Sequence, residues 1–202
     1  IEKLFLYLCM NTTEIFSATT AAKELENISV STIDNYIEAL EMSNLIYLSK
    51  PMNVGSKGAL KGKPKIFIAD AAIRNAVLMI DDVLSDETEL GAVVETAVYK
   101  HMVSFYQGIP AQLGYYRNAR DTQKEVAVVV ELPRQKILCE FKYRGNSPIP
   151  ATDAIVDLCK DNPCLLGHKR DKRFRLYKTR NGYPILRVPA IVFLYLLGKA
   201  EA

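Results

Sequence analysis

Glu140 and Lys142 form the pair of side chains with the clearest chemical meaning in this 202-residue chain. They lie two residues apart in the apolar run KILCEFKY, residues 136–143, which is typical of a β-strand. Side chains two apart in a strand point to the same face. A carboxylate beside an ammonium can hold a divalent metal and steady a neighbouring phosphate oxygen. Glu-x-Lys alone is a weak signal for such a site, since many exposed strands carry it. The alternative is a surface ion pair on an edge strand.

The preceding apolar run, KEVAVVVE at residues 124–131, is the natural companion of such a site. It carries Ala127 where metal chemistry requires Asp, and Glu125 lies too far along the strand to replace it without a shift. Glu95, inside a strongly predicted helix at 91–106, is a further candidate. It is either a carboxylate aimed inward at a metal or an ordinary exposed helical Glu.

The elements around these residues follow from their periodicity. Strands are predicted at 112–117, 125–131 and 136–143, and residues 132–135 link the last two as a hairpin. A helix at 150–160 and a strand at 164–166 follow, and the apolar stretch 188–197 predicts a buried C-terminal helix. The order is therefore helix, three strands, helix and strand.

The first part of the chain has the order of a winged helix-turn-helix. Two short helices precede a third helix. We expect the third helix to begin at Ser31, with a capping box. Strands at 46–48 and 65–68 then flank a loop rich in Gly and Lys. The third helix carries Asp34, Glu38 and Glu41 on its outward positions and no Lys or Arg, which disfavours groove reading and a role as a transcription regulator.

Positive charge is concentrated in two other segments, although the net charge is only +3. The wing carries Lys50 and Lys65 together with the candidate DNA contacts Lys57, Lys61 and Lys63. Residues 168–180 are either a solvated surface hairpin or a phosphate-facing patch. The candidate contacts there are Lys169, Arg170, Lys172, Arg173 and Arg175. Arg117, in the strand at 112–117, is a further candidate phosphate contact. The alternative is that it serves the packing of the core.

Several other activities are disfavoured by the sequence. Residues 58–64, GALKGKP, resemble a phosphate loop but are one residue short and end in Pro where Ser or Thr must bind magnesium. The four cysteines lack zinc spacing and are expected to be buried free thiols in a reducing cytoplasm. The longest apolar run is half a membrane span, so we expect no membrane association. The chain opens in a helical pattern without Met, which suggests a piece of a longer protein.

Motif and element order together resemble the restriction-endonuclease-like fold, whose signature is written PD-(D/E)xK. Most of the chain is also similar to the C-terminal region of prokaryotic AAA+-type ATPases, in which a winged helix precedes this domain of unknown function. The matching stretches are IFIADAAIRN, ETELGAVVETAVYKHM, GYYRNARDTQKEVAVVVE and KILCEFKYR. The resemblance implies an N-terminal ATPase domain, which would be the partner of this region and the only part to bind ATP.

The same resemblance implies roles for individual residues. Glu95 matches the helix carboxylate, Ala127 the lost metal-binding Asp, Glu140 the second metal ligand and Lys142 the catalytic lysine. We therefore expect weak binding of Mg²⁺ or Mn²⁺ and no cleavage of duplex DNA, the candidate partner. The alternative is a non-enzymatic docking or regulatory platform for the ATPase. The oligomeric state stays open.

The expected fold class is α/β in the broad sense, more narrowly α+β. We predict a winged helix at 1–70, a linking helix and acidic linker at 71–90, and a nuclease-like αβββαβ core with a mixed sheet at 91–202.

Overall fold

The fold is described from a computed structural model, which covers residues 1–26, 28–54, 62–118, 121, 124–142, 152–168 and 173–201. The chain divides into two compact units. The first comprises residues 1–50 and 62–100, and the second comprises the described residues of 51–61 and 101–202. The division falls inside one helix, between Lys100 and His101. The predicted domain boundaries, after residues 70 and 90, stay a prediction.

The first unit has three helices, an antiparallel strand pair and two more helices. The pair joins β1 to β2 with register from Ile46↔Ile68 to Ser49↔Lys65. Leu4, Leu8, Ile33, Ile37 and Leu40 are buried, and their spacing puts the apolar side chains of each helix on one face. The elements are α1 Glu2–Met10, α2 Ala18–Glu24, α3 Val30–Met42, β1 Ile46–Pro51, β2 Lys65–Ile68, α4 Ala71–Val77 and α5 Glu87–Tyr106.

Helix starts in this unit are set by side chains that accept from free backbone N–H groups. The predicted start of α3 at Ser31 is wrong, because Ser29 is the N-cap and accepts from the Thr32 N–H at 3.1 Å. α5 begins at Glu87 rather than at residue 91, since Asp86 accepts from the Thr88 N–H at 2.6 Å. Asp70 caps α4, accepting from the Ala72 N–H at 2.8 Å.

The second unit is built on a mixed sheet with the strand order β3-β4-β5-β6-β8-β7. β3, β4 and β5 are antiparallel, β5, β6 and β8 are parallel, and β7 returns antiparallel to β8. The mixed α+β class and the order helix, three strands, helix and strand are thus confirmed. The elements are β3 Gln112–Arg117, β4 Glu125–Leu132, β5 Gln135–Lys142, α6 Ala154–Leu158, β6 Cys164–His168, β7 Arg175–Lys178, β8 Pro184–Pro189 and α7 Ala190–Glu201.

Three expectations about the end of the chain need correction. α6 is shorter than the predicted 150–160, and strands β7 and β8 were not predicted. The C-terminal helix forms, but it is not buried throughout, because Ile191 is 78% and Tyr195 is 62% exposed. None of the helices in the described part of the chain combines the length and hydrophobicity that a membrane-spanning segment needs.

Candidate functional site

The site predicted around Glu140 lies where β4 and β5 separate. The two strands pair from Leu132↔Gln135 to Val128↔Cys139. Beyond that point β4 continues against β3, with Arg117 opposite Glu125, and β5 continues against β6, with Glu140 opposite Leu166. The ends of two central strands therefore diverge at Ala127 and Glu140, and this divergence makes room for side chains between them.

The carboxylate of Glu140 turns into this space and contacts the backbone of β4. Its Oε2 accepts a hydrogen bond from the Ala127 N–H at 3.0 Å. The bond satisfies a backbone donor that would otherwise be left over where the strands part, and a charged acceptor strengthens it. Ala127 itself is only 7% exposed. Positions 127 and 140, which the sequence pairs, are therefore in contact, and an Asp side chain at position 127 would stand beside the Glu140 carboxylate.

Glu140 also lines an open cleft of about 490 Å³ in the second unit. The opposite wall is formed by residues 152–155, at the start of α6. The ionisable residues that line the cleft are Asp121, Lys124, Glu125, Glu140 and Asp153. The sequence reasoning missed Asp121, Lys124 and Asp153 as site residues, although the polar segment directly before the buried strand β4 was a usable signal for Asp121 and Lys124.

Two cations at or beside this cleft are each close to a carboxylate. The Lys124 Nζ donates to the Asp157 Oδ2 at 2.6 Å, and this hydrogen bond raises the pKa of Lys124. The Arg117 Nε lies 4.0 Å from the Glu125 Oε2. Arg117 was expected to contact phosphate, and it is opposed by a carboxylate in this structure.

The donor groups here do not fit the divalent ion that the resemblance implies. Mg²⁺ and Mn²⁺ are held by several oxygen ligands fixed around one point. Position 127 supplies none, and one oxygen of Glu140 is already bonded to a backbone N–H. Within the described ranges, no three His, Cys, Asp or Glu side chains are grouped in a way that could hold a metal.

Glu95, the third carboxylate of the predicted site, belongs to the first unit. Its Oε1 lies 3.8 Å from the Nζ of Lys65, and the Glu95 side chain is 25% exposed. Lys65 is buried, at 6% exposure, so the expectation that it adds positive charge to the wing surface is wrong. Desolvating an ammonium without a counter-charge is costly, and Glu95 supplies that charge.

The remaining predicted residues divide between exposed, paired and undescribed positions. Arg173 and Arg175 are exposed. Lys63 is exposed and donates to the Ser17 Oγ at 2.7 Å. Lys142 continues β5 opposite His168, but its side chain lies outside the described part of the chain. The other predicted DNA contacts also fall outside the described residues: Lys57, Lys61, Lys169, Arg170 and Lys172.

The four cysteines behave as predicted from their spacing. Cys9, Cys139, Cys159 and Cys164 are all free thiols, and all are buried. Burial raises the pKa of Cys139 to about 12 and the charge of Glu140 adds to the shift. A thiol held so far from its thiolate form is a poor nucleophile. Cys139, although it neighbours the cleft residue Glu140, is therefore a packing residue.

Comparison with known proteins connects the two parts of the chain to families. Residues 1–84 match the family described as Domain of unknown function (DUF8612). Residues 90–196, more than half of the chain, match the family described as Domain of unknown function (DUF4143). No curated protein sequence matches the chain significantly. The expectation of a domain family of unknown function is confirmed, and the chain belongs to the DUF4143 family.

Proposed function

We propose that this chain is the nuclease-like C-terminal part of an AAA+-type ATP-binding protein, and that it binds duplex DNA without cleaving it. The resemblance to PD-(D/E)xK enzymes supports a nuclease-like ancestry. ATP would be bound only by an ATPase domain that precedes this region. Under this proposal, the second unit retains the shape of a phosphodiester-cleaving site and has lost its metal-binding geometry.

The hydrogen bond from the Ala127 N–H to Glu140 is the observation that carries this proposal. A cleaving site of the PD-(D/E)xK type uses a metal to lower the pKa of water and to stabilise charge on the reacting phosphate. Here the carboxylate that would bind the metal contacts the backbone at 3.0 Å, and its neighbour at position 127 is a methyl group. These two facts together favour a domain that does not cut.

Exposed cations on the edge strand β7 and just before it support the DNA-binding part of the proposal. Arg173, Arg175 and Lys178 are exposed, and within the described part of the chain none of them forms a hydrogen bond or ion pair. Cations that are not neutralised by the protein can replace counterions on a DNA backbone. We expect these three side chains to contact phosphates rather than bases.

A salt-dependent titration tests DNA binding. A labelled duplex of about 25 base pairs is titrated by fluorescence anisotropy between roughly 50 and 200 mM salt, where each neutralised phosphate contributes about 0.9 to the slope. Changing Arg173, Arg175 and Lys178 to Gln should weaken binding and flatten that slope. Changing Lys23, Arg134 and Lys199 to Gln removes the same net charge from other exposed positions and should have a smaller effect.

A docking platform for the ATPase is the second candidate, and the surface of α3 favours it. Asp34, Glu38 and Glu41 are all exposed on this helix, and Met42 beside them is 78% exposed. A helix that presents acids and one large apolar side chain suits a basic protein surface better than a DNA groove. Absence of any duplex binding at 50 mM salt would reject the first proposal and leave this one.

A further inference from the structure

A second cleft in the second unit, separate from the one that Glu140 lines, presents two cations to solvent. It has a volume of about 370 Å³ and is formed by the end of α6 and the turn between β7 and β8. Lys160 lines it from one side and Arg180 from the other. Both side chains are exposed, and neither forms a hydrogen bond or ion pair with the described residues.

The turn that carries Arg180 is held in one conformation by its own hydrogen bonds. The Gly182 N–H donates to the Thr179 carbonyl at 2.9 Å, and the Thr179 N–H donates to the Tyr183 carbonyl at 2.9 Å. The Tyr183 N–H also donates to the Oγ1 of the buried Thr179, at 3.1 Å. Gly182 has φ +84°, a conformation that glycine adopts without strain. Arg180 and Asn181 therefore project from a closed turn.

The opposite wall is fixed by contacts on both sides of Lys160. The Cys159 N–H donates to the Ile155 carbonyl at 3.0 Å, and the Asn162 Nδ2 donates to the Leu158 carbonyl at 3.0 Å. The second of these bonds occupies a carbonyl at the end of the helix. Such carbonyls would otherwise repel an anion.

The acid in this cleft is already paired. Asp157 is the carboxylate among the lining residues, and Lys124 donates to it at 2.6 Å from the neighbouring cleft. Lys160 and Arg180 thus give the cleft a positive charge that no lining group cancels. A guanidinium, an ammonium and the Asn181 amide are groups that bind phosphate oxygens.

We infer that this cleft binds a phosphate group, with Lys160 and Arg180 as its contacts. The inference deepens the proposed function. The phosphate source that we favour is the backbone of duplex DNA, and this choice rests on the proposed function. A free phosphate-bearing molecule has the same chemistry. The cations of β7 lie directly before this turn in sequence and would continue the contact along a polyanion.

The test uses Lys160→Gln, Arg180→Gln and the double variant, with Arg134→Gln as a matched control on the exposed β4–β5 turn. Each single change should weaken duplex binding roughly three- to tenfold and lower the salt slope by about one. Arg134→Gln should leave the affinity within about twofold of the unmodified chain. Unchanged melting temperatures should accompany all four variants, because exposed substitutions rarely alter stability.

Inorganic phosphate, added up to about 20 mM against a chloride control of equal ionic strength, separates this inference from the proposed function. We expect phosphate to raise the melting temperature of the unmodified chain and not that of the double variant. The same result without any duplex binding would reject the DNA proposal and support a site for a free phosphate compound. The inference would be overturned if the double variant bound the duplex as tightly as the unmodified chain and responded equally to phosphate.

Discussion

The carboxylate of Glu140 is bonded to a backbone N–H, and this contact separates the present site from one that holds a metal. β4 and β5 no longer pair at Ala127 and Glu140, but the hydrogen bond from the Ala127 N–H to the Glu140 Oε2 keeps these two residues next to each other. A carboxylate at position 127 would therefore meet the Glu140 carboxylate in a half-buried space. Two such charges repel each other unless a cation lies between them.

Replacing Ala127 with Asp should consequently create a metal-dependent stability. Without divalent ions, we expect Ala127→Asp to lower the free energy of unfolding by about 1–3 kcal/mol, because a buried charge is left unpaired. Mg²⁺ or Mn²⁺ at about 10 mM should restore part of that loss, since binding to the folded state stabilises it. Thermal unfolding with and without metal measures both effects.

Ala127→Asn is the matched control for this change. It adds a side chain of similar size without a charge, so it should destabilise the chain without a response to metal. An equal metal response in the Ala127→Asn and Ala127→Asp chains, or no response in either, would contradict the assignment of this position.

At the scale of elements, the strands β2 to β5 were predicted closely, whereas the starts of α3 and α5 and the strands β7 and β8 were not. β3, β4 and β5 follow from alternating or continuous apolar runs with a clear turn at 132–135. The start of α3 depends on which of several neighbouring hydroxyls accepts the first N–H, and Ser29 and Ser31 are equally suitable by type. β7 was hidden by its composition, since Arg175 and Lys178 belong to a surface edge strand with no buried alternation.

The separation of β4 from β5 could not be read from the sequence either. Strand patterns predict which residues share a face, but the point at which two strands part depends on what covers them. Glu95 illustrates the same limit. Its place on a helix was predicted, whereas its partner Lys65 comes from a distant strand and was expected at the surface. Long-range pairings of this kind carry no local signal.

Gly167 is a position where the sheet tolerates no side chain, and it supports the strand that carries Glu140. It lies opposite Phe141 in the β5–β6 pairing, and a Cβ there would collide with the Phe141 ring. Gly167→Ala should therefore destabilise the chain by about 1–3 kcal/mol through overpacking. Urea unfolding measures the change.

Gly91 provides a control in which the same Gly→Ala change should raise the free energy of unfolding instead of lowering it. It lies inside α5, and an added Cβ would meet nothing within 4 Å. Gly91→Ala should stabilise the chain by up to about 1 kcal/mol, because alanine is the better helix former. A Gly167→Ala chain as stable as the unmodified one would show that Phe141 moves aside without cost.

At the scale of the whole molecule, buried groups that can lose a proton should lower the free energy of unfolding at high pH. Burial raises the pKa of Cys139 from 9.0 and the pKa of Tyr99 from 10.0, each to about 12. Burial also raises the pKa of Cys9, Cys159 and Cys164. In the unfolded chain these groups ionise at their ordinary values, whereas in the folded chain they stay protonated.

Stability should therefore be unaffected by these groups below about pH 9 and fall as the pH rises from about 9 towards 12, since the unfolded state releases more protons. Urea unfolding in the presence of a reducing agent at about pH 7.5, 9 and 10 measures this trend. Cys139→Ala should make the decline shallower. Stability that stays level or increases over this range would contradict the burial of these groups.

Loss of cleavage is the central claim for the molecule as a whole, and supercoiled plasmid tests it most directly. The unmodified chain is incubated with plasmid in about 5 mM Mg²⁺ or Mn²⁺ beside a Glu140→Gln chain, and the nicked and linear forms are quantified. We predict that both proteins leave the plasmid supercoiled, because position 127 supplies no metal ligand. Metal-dependent nicking by the unmodified chain that Glu140→Gln abolishes would contradict the account.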